Sequence, residues 1–566
     1  MKASTYSGFV TIFSLLLILV LTPVLLPGAA SSLAEEKTDP SAESSARVPL
    51  LDGLYAPPFS ITTDSQEARD YFQQGLVLTF GFDHSDAEAS YLEAARIDPD
   101  CAMAYWGASF VLGPNINAPM NDADVPQAYA RLQSALALSN RVTDKERALI
   151  EALSVRYEPK LVADRSPLDQ AFAAAMGEVY EKFPDDPHVA VLYAESLMNL
   201  HPWNYWTEEG RAQPWTPAIR AILEDVIETH PSHPHGHHLY IHLMENSPTP
   251  EATIRSADLI RHLAPAAGHL VHMAGHGYYA AGFYHDCSTA NEEAIKADKV
   301  LRASFDSRGL YRLGYMPHNR HFLLAAYMMQ GRSRESIEAA RALAGEVDKD
   351  AMRQPGLEGL QQFYLAPYYA LVRFGRWDEI LAEPAPDRDL KYPRGMWHYA
   401  RGMALVHSGK TSSAERELAT VRLLASDPEV GRVKILGLNN GAQLLQIATE
   451  VLAGDIAAAR GDSDAALAHY ARGVTLEDGL SYTEPPDWYY PVRQSLGALL
   501  MDLGRYQEAE AVFRRDLLEN AENPWSLFGL ARSLEAQGKK LQAEEAEKRF
   551  RRAWARADLV LERPVF

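Results

Sequence analysis

The feature that most constrains the fold is a recurring glycine, each copy standing between an Ala-rich helical segment and a short polar or aromatic turn. Two spacings between successive copies are 34 residues, and the others, 49, 44, 52 and 43, are 34 plus an insertion. A unit of about 34 residues accommodates two antiparallel helices. Such units bury their apolar faces only against their neighbours, so the chain is predicted to be a stack of helix pairs. The glycines are Gly282, Gly331, Gly375, Gly409, Gly461, Gly504 and Gly538.

Two copies of the repeat preserve enough positions to indicate how it packs. Apolar residues keep a helical period throughout, and no segment alternates as a strand does. The pattern resembles the tetratricopeptide repeat, in which small residues let two helices touch and large residues fill the gap to the next pair. We therefore predict an all-α fold, a tetratricopeptide-type α-solenoid, with a generic helical bundle as the alternative. The copies are Leu496-Gly497, Leu500, Gly504, Tyr506, Ala509 and Phe513, and Tyr71, Gly75, Ala87, Tyr91, Ala94 and Pro99.

The repeat pattern divides the body of the chain into two parts. N-terminal helical repeats with a His-rich groove are predicted over residues 61–345, and C-terminal tetratricopeptide repeats over residues 346–566. Residues 114–165 and 346–360 fit the pattern poorly. Hydrophobic residues make up 47% of the chain and charged residues 23%, which is ordinary for a globular protein and argues against extended disorder.

The N-terminus has the features of an export signal. Lys2 precedes an apolar run from Phe9 to Leu26, and small residues follow up to Ala34. Residues 1–34 are therefore predicted to be a signal peptide, with an uncleaved N-terminal anchor as the alternative, because 18 apolar-leaning residues can just span a bilayer. A linker rich in Ser, Pro and charge follows over residues 35–60. The body is expected to be periplasmic or secreted, and membrane contact would come only through the N-terminal segment.

Charge and cysteine content exclude several classes of partner and site. The net charge of −21 repels phosphate backbones, so nucleic acid is not expected as a partner. Cys101 and Cys287 are the only cysteines, which excludes a disulfide framework and a Cys-built zinc site. The sequence also lacks a phosphate-binding G-x-x-x-x-G-K-[ST] loop, a G-x-S-x-G nucleophile elbow and an H-E-x-x-H zinc motif.

The histidines carry most of the functional information. Nineteen are present, and 13 of them fall between His230 and His321. Two triplets in this window share the spacing H-x-x-H-x-x-x-H and are offset by 34 residues, which is one repeat. At 100° per residue, the three positions of a triplet lie within a 60° arc of one helix face. The triplets are His235, His238 and His242, and His269, His272 and His276.

A third helix continues the arrangement. His318 and His321 stand 13 and 10 residues before the next repeat glycine, in the register of the first two histidines of the second triplet. In the tetratricopeptide family, the matching positions of the first helix of each pair line a concave groove. That resemblance implies that three successive helices project up to eight imidazoles into one groove.

Imidazoles at positions i and i+4 of a helix form a chelating pair for a borderline metal, and each triplet contains one such pair. All eight histidines are therefore candidate ligands of a divalent transition metal, with zinc or copper first and iron or nickel also open. Glu245 continues the first stripe and Tyr279 the second, which makes them candidate acid–base residues. The alternatives are a polar groove without metal and a structural role. Four histidines lie off the stripes and are expected to be solvated: His230, His233, His237 and His262.

Aromatic and amide side chains near the triplets are candidates for the wall of a ligand groove. The aromatic cluster precedes the first His helix, and ordinary packing is its alternative role. A loop over residues 112–119 is rich in Pro and Gly, cannot be helical and is placed to cap the groove. The groove candidates are Trp203, Tyr205, Trp206, Asn115 and Asn117.

Several motifs within residues 60–345 are similar to those of a widespread group of exported bacterial tetratricopeptide proteins. The resemblance implies the repeat fold and export, and it implies no activity. This chain departs from the group at Ala274-Gly275, where Pro-Ser usually precedes the third His of the second cluster. The matching motifs are Asp98-Pro99-Asp100-Cys101-Ala102-Met103-Ala104-Tyr105-Trp106-Gly107, Gly113-Pro114-Asn115, His238-x-x-x-His242, Gly268-His269-Leu270-Val271-His272-Met273 and Pro317-His318-Asn319.

Two functions are compatible with these observations. One is an exported protein with a His-lined metal-binding groove, which as an enzyme would activate water or O₂ at the metal. The other is a non-catalytic scaffold that binds a peptide or protein partner in the periplasm. The His stripes favour the first, because grooves that hold peptide carboxylates more often present Lys, Arg and Asn. The ligand is then a small molecule, peptide or protein of unknown identity, and whether the chain is an enzyme stays open.

Overall fold

The computed structural model describes residues 48–305 and 309–566, so the predicted signal segment 1–34 and the first part of the linker lie outside it. The described residues form a succession of α-helices with one short pair of strands. The N-terminal helices are α1 Gln66–Phe80, α2 His84–Ile97, α3 Ala102–Phe110, α4 Val125–Leu138, α5 Asp144–Ser154, α6 Ser166–Lys182, α7 Pro187–Asn199, α8 Thr216–Thr229, α9 Pro234–Met244, α10 Ile254–Leu263, α11 Gly268–Ala280, α12 Tyr284–Ser304, α13 Met316–Met329 and α14 Ser333–Glu346.

The remaining helices belong to the C-terminal part. They are α15 Gln361–Tyr364, α16 Ala366–Arg373, α17 Trp377–Ala382, α18 Lys391–His407, α19 Thr411–Ala425, α20 Pro428–Arg432, α21 Gly441–Ala459, α22 Ser463–Asp478, α23 Val492–Asp502, α24 Tyr506–Glu519, α25 Pro524–Ala536 and α26 Lys540–Ala553. Strands β1 Lys434–Ile435 and β2 Asn439–Asn440 pair antiparallel, with Lys434 opposite Asn440. Consecutive helices pack against one another along the chain, which confirms the predicted all-α, tetratricopeptide-type solenoid.

The recurring glycines end the first helix of each pair. All seven have a backbone φ between +60° and +81° and follow a helix by two residues. A side chain in this left-handed conformation is strained, and glycine adopts it without a Cβ clash. The glycine therefore stops one helix and turns the chain into the next, which is why its spacing predicts the repeat.

Close packing between helix pairs depends on glycines that face an aromatic ring. Tyr91 on α2 lies between Gly75 on α1 and Gly107 on α3, where an added Cβ would lie 2.8 Å and 2.5 Å from the ring. The aromatic residue stands 16 residues after one glycine and 16 before the other. The same arrangement recurs in α23–α25, with Phe513 between Gly497 and Gly529.

Residues 48–60 pack against the repeats, so this part of the predicted linker is not a free segment. The Tyr71 hydroxyl donates to the Val48 carbonyl at 2.6 Å. The His188 ring bonds to the Pro57 carbonyl at 3.1 Å, and Phe59 is buried. The Ser- and Pro-rich composition gave no indication that residues 48–60 accept hydrogen bonds, through their backbone carbonyls, from side chains of α1 and α7.

The poorly fitting segments are irregular only in part. Residues 125–138 and 144–154 are helical, whereas the segment 346–360 contains two short 3₁₀ turns, Ala351–Arg353 and Glu358–Leu360. Within the described ranges, no helix is both long enough and apolar enough to cross a membrane.

The C-terminal repeats contact the His-bearing half of the chain. The Tyr284 hydroxyl donates to the Ala521 carbonyl at 2.7 Å, and Trp525 Nε1 donates to the Met328 carbonyl at 3.1 Å. Between α22 and α23 the chain is non-helical over residues 479–491. This segment reaches the histidines and forms part of the site described next.

Candidate metal centre

Helices α9, α11 and α13 carry the eight predicted ligand histidines and lie beside one another as the first helices of neighbouring repeats. Local sequence sets where they begin. Helix α9 begins at Pro234, directly after His233, whose Nδ1 accepts the Gly236 N–H at 3.2 Å as an N-cap. The rings of His242 and His276 are 5.2 Å apart, centroid to centroid, so the two stripes face each other as predicted.

The predicted concave groove is covered by other segments of the chain, so the histidines lie in the interior. Seven of the eight are 0–3% exposed, and only His318 is half-buried. Phe80 and Phe82, at the end of α1, cover one side, with ring centroids 4.6 Å from His235 and 4.5 Å from His238. The segment 479–491 covers the other. A repeat pattern describes one helix at a time and cannot show that distant segments close over the groove.

The first cluster, called the first trio, consists of His238, His242 and His269. Ligand atoms of the three residues all lie within 4.8 Å of one another. His238 Nδ1 donates to the Phe80 carbonyl at 2.7 Å, and His242 Nδ1 donates to the Glu245 carboxylate at 2.8 Å. In each of these two rings the Nε2 lone pair is therefore free. Such outer partners fix the tautomer and orientation of metal-binding imidazoles.

The free nitrogens of the first trio have no hydrogen-bond partner among the described residues. These atoms are His238 Nε2, His242 Nε2 and both ring nitrogens of His269. Leaving a buried polar atom unpaired costs about 1–3 kcal/mol. A metal ion that accepted one lone pair from each ring would remove this cost for three of the four nitrogens.

A second trio consists of His272, His276 and His318, whose ligand atoms also lie within 4.8 Å of one another. His272 Nδ1 donates to Asn291 Oδ1 at 2.7 Å, while Asn291 Nδ2 donates to the Cys287 carbonyl and so fixes the amide orientation. His272 Nε2 and His276 Nε2 are 2.8 Å apart. Two bare lone pairs would repel at this distance, so the geometry requires a proton or another cation between them.

Two carboxylates join the trios. Glu245 accepts from His242 Nδ1 with one oxygen and from His276 Nδ1 with the other, at 2.8 Å and 2.7 Å. Glu484, in the segment 479–491, also bonds to His276 Nδ1. Burial lowers the pKa of His276, but the two carboxylates outweigh burial and raise it to about 10. Burial and the neighbouring Glu245 raise the pKa of Glu484 to about 8.

Three other buried histidines show how a structural imidazole is satisfied in this fold. His237 bonds to Ser256 Oγ and to the Pro231 carbonyl, both at 2.9 Å. His233 bonds through Nε2 to His188 Nδ1 at 3.1 Å, besides capping α9. The expectation that His233 and His237 are solvated is therefore wrong, because α9 is buried on every side. His262 is exposed and His230 half-exposed.

The two outer predicted ligands lie outside both trios. His235 Nε2 bonds to the Glu195 carboxylate at 3.2 Å. The His321 ring packs against the rings of Phe363 and Tyr489, at centroid distances of 5.3 Å and 5.0 Å. The structure thus groups six of the eight predicted ligands.

The predicted acid–base residues differ in their placement. Glu245 touches both trios, so its position supports a role at the site. Tyr279 packs against Tyr284 and Phe322, and Phe322 in turn lies 4.3 Å from His276, centroid to centroid. Burial raises the pKa of Tyr279, so its hydroxyl stays neutral. A catalytic role for either residue stays a prediction.

Of the three aromatic residues predicted to line the groove, only Trp203 contacts one of the predicted metal-ligand histidines in the described part of the chain. The Trp203 ring packs edge-on against His242 at 5.1 Å. Trp206 Nε1 donates to the Leu243 carbonyl at 2.6 Å, and Tyr205 is buried with its hydroxyl 3.4 Å from the Met198 carbonyl. These two residues support α9 and α7 from behind, and packing explains them.

The predicted amide cap is mainly a turn. Asn115 Oδ1 accepts from the backbone N–H groups of Asn117 and Ala118, at 2.8 Å and 2.9 Å. Asn117 lies beside Tyr315, whose ring packs edge-on against His269 at 4.7 Å. The loop therefore reaches the first trio indirectly, through one tyrosine.

Two aromatic residues at the first trio have strained backbone. Phe82 has a φ of +57° and Trp203 a φ of +60°. For bulky residues this conformation is an outlier, and such strain concentrates at functional sites. Both rings contact a histidine of the first trio, so the strained turns position the walls of the site.

Three groups at the site were not predicted from the sequence: Glu484, Asn291 and the Phe80 carbonyl. One signal pointed to Glu484: the spacing of 43 residues between Gly461 and Gly504 exceeds the repeat and marks an insertion there. Asn291 lies on the second helix of its pair, where nothing in the pattern distinguishes it. A backbone carbonyl has no sequence signal at all.

Comparison with known proteins supplies no function. No family model matches the chain, and no curated protein matches it. Among solved structures, the human IFIT1 dimer with m7Gppp-AAAA is 11% identical, with a TM-score of 0.29, and covers 88% of this chain and 92% of its own. The APC/C hetero-tetramer Cut9-Hcn1 is 12% identical, with a TM-score of 0.31, and covers 88% of this chain and 79% of its own. Similarity at this level carries no argument about the site.

Proposed function

We propose that this chain is an exported bacterial repeat protein that binds a divalent transition metal inside its helical stack. The ligands are His238, His242 and His269. Zinc and copper fit this set best, because imidazole is a borderline donor and no thiolate lies in the trio, while iron and nickel are also accommodated.

One observation carries the proposal: three buried imidazole nitrogens, one from each ring of the first trio, lie within 4.8 Å of one another. The Nε2 atoms of His238 and His242 and both ring nitrogens of His269 have no hydrogen-bond partner among the described residues. His188, His233 and His237 are buried imidazoles whose ring nitrogens are hydrogen-bonded. His235 Nδ1 and His321 Nε2 are also unpaired, but their rings lie outside both trios. The opposite nitrogens of His238 and His242 are held by outer partners, as in metal sites. A structural role would not require lone pairs to converge.

The trio also suits catalysis. Three protein ligands leave a coordination position for water or a substrate, as in catalytic zinc sites. A bound metal would supply Lewis acidity and a lowered pKa for water. Glu245 is placed to hold His242, and the Trp203 ring borders His242. The half-buried side of the site, at Trp203, His318 and Glu484, is where a small molecule would approach.

Other ligands fit less well. A net charge of −21 disfavours nucleic acid. A peptide-binding scaffold would have no use for the unpaired imidazoles in the interior. We therefore propose a small molecule as the ligand of the metal centre.

The metal proposal is tested by elemental analysis of the exported chain, purified without an affinity tag. We expect at least one equivalent of a transition metal, with one equivalent fewer in His238→Ala and no loss in His237→Ala, a control that removes a neighbouring buried imidazole. A metal-free wild type that also fails to bind added Zn²⁺ or Cu²⁺ would overturn the proposal.

Export is tested separately. The chain expressed in a bacterium should be recovered from the periplasm or medium with its N-terminus beyond residue 34. Recovery in the cytoplasm with residues 1–34 intact would refute this part, and an intact chain in the membrane fraction would favour the anchor.

A further inference from the structure

The six grouped histidines form two sets related by the repeat. Each set takes an i, i+4 pair from one helix and the first histidine of the next helix. Helices α9 and α11 build the first trio, and helices α11 and α13 build the second. The shared design comprises His238, His242 and His269 in one set and His272, His276 and His318 in the other.

We propose that the second trio binds a second divalent transition metal ion, so that the chain holds two ions one repeat apart. This inference rests on the proposed metal function of the first trio. It adds a site with its own ligands, and the two can be tested independently.

The second trio has the outer contacts that a metal site needs. Asn291 holds His272 Nδ1, and Glu245 together with Glu484 holds His276 Nδ1. The Nε2 atoms of both rings are thereby directed at each other, 2.8 Å apart. The His318 ring lies 4.9 Å from His272 and 5.6 Å from His276, centroid to centroid, and completes three imidazoles around one point. An ion bound to the three Nε2 or Nδ1 lone pairs would occupy the position that a proton holds in its absence.

The repeat also explains why the array stops at two ions. On α13 the residue four positions after His321 is Ala325, so no chelating pair begins a third site. At the other end, the residue that meets His235 from α7 is Glu195. His235 and His321 therefore keep the register of the pattern without completing a trio.

A rival arrangement uses a single ion between the trios. Ligand atoms of His242, Glu245, His276 and Glu484 also lie within 4.8 Å of one another. An ion there would use the Nδ1 atoms and both carboxylates, and it would exclude the hydrogen bonds that orient the two trios. His269 and His318 each belong to one trio, and neither belongs to the group between the trios. Replacing them therefore distinguishes two ions in the trios from a single ion between them.

The test is the number of ions per chain. Metal-free wild type, His269→Ala and His318→Ala are titrated with ZnCl₂ by isothermal calorimetry, and the metal retained after gel filtration is measured. We expect two ions in the wild type and one in each variant. His235→Ala and His321→Ala serve as matched controls that should keep both. If an alanine variant does not fold, His269→Gln and His318→Gln replace it with closer volume.

Other results would overturn the inference in distinguishable ways. One ion in the wild type, lost in His269→Ala and kept in His318→Ala, leaves the first site and removes the second. One ion kept in both variants places it between the trios. No ion in the wild type refutes the proposed function itself.

Discussion

Replacing Glu245 tests most sharply whether the two trios bind metal, because its carboxylate contacts both of them. Its two oxygens accept from the Nδ1–H groups of His242 and His276, at 2.8 Å and 2.7 Å. Glutamine keeps the shape but offers one acceptor oxygen and one NH₂ group. The NH₂ would face an Nδ1–H, so that imidazole must move its proton to Nε2 and lose the lone pair that is proposed to bind the metal.

The expected magnitude follows from this tautomer change. Loss of an outer partner of a metal-binding imidazole weakens metal affinity by about 10–100-fold. This corresponds to about 1.4–2.8 kcal/mol of binding free energy. The amide oxygen can accept from only one of the two rings, but Glu484 still accepts from His276 Nδ1. We therefore expect Glu245→Gln to weaken one site by at most that factor and the other by less.

The assay is competition between the metal-free protein and a chromophoric chelator for Zn²⁺. Glu195→Gln is the matched control, because it makes the same change at a buried carboxylate that holds His235, outside both trios. Unchanged affinity in Glu245→Gln, or an equal loss in Glu195→Gln, would refute the idea that Glu245 orients the ligands.

Three further results follow from the packing and burial of single residues. His237→Ala should lower the free energy of unfolding by about 1–3 kcal/mol, because it unpairs the buried Ser256 hydroxyl, with the metal content unchanged; elemental analysis and denaturant titration check both. Gly107→Ala should cost about 1–3 kcal/mol, because its Cβ would lie 2.5 Å from the Tyr91 ring, whereas Gly345→Ala, with open space around it, should cost nothing in the same thermal melt; equal effects would contradict the packing argument. Burial lowers the pKa of His188 from 6.5 to about 4, so the folded state binds fewer protons than the unfolded chain in this range. The contribution of His188 to the free energy of unfolding is then fully present above pH 6.5. It is lost as the pH falls from 6.5 through 4, by on the order of 3 kcal/mol. His188→Gln should flatten this part of the pH profile in denaturant titrations, and a profile as steep as that of the wild type would show that other groups cause it.

Much of the fold could be predicted from spacing alone. The recurring glycines need a positive φ, and this local requirement determines where each first helix ends. The offset of 34 residues between the His triplets likewise reflects the stacking of equivalent helices, so the facing of His242 and His276 was predictable. Both inferences depend only on contacts within a repeat or between adjacent repeats.

The interior position of the site could not be predicted in this way. Every residue of α9 from Pro234 to Met244 is buried, so the stripe of histidines does not mark an exposed face. Glu484 reaches His276 from 208 residues away, through an insertion that interrupts the repeat. The periodic pattern contains no information about a contact of that range. The hydrogen bonds in the structure then distinguish two neighbouring histidines. His238 has an unpaired ring nitrogen and is a candidate ligand, whereas both ring nitrogens of His237 are hydrogen-bonded.

The most direct test of metal binding is X-ray diffraction at the metal absorption edge, from crystals of the protein grown without added chelator. We expect an anomalous peak about 2.0–2.1 Å from ring nitrogens of His238, His242 and His269, the usual length of a Zn–N bond. A fully occupied metal bound instead at exposed histidines such as His262, with the first trio empty, would contradict it.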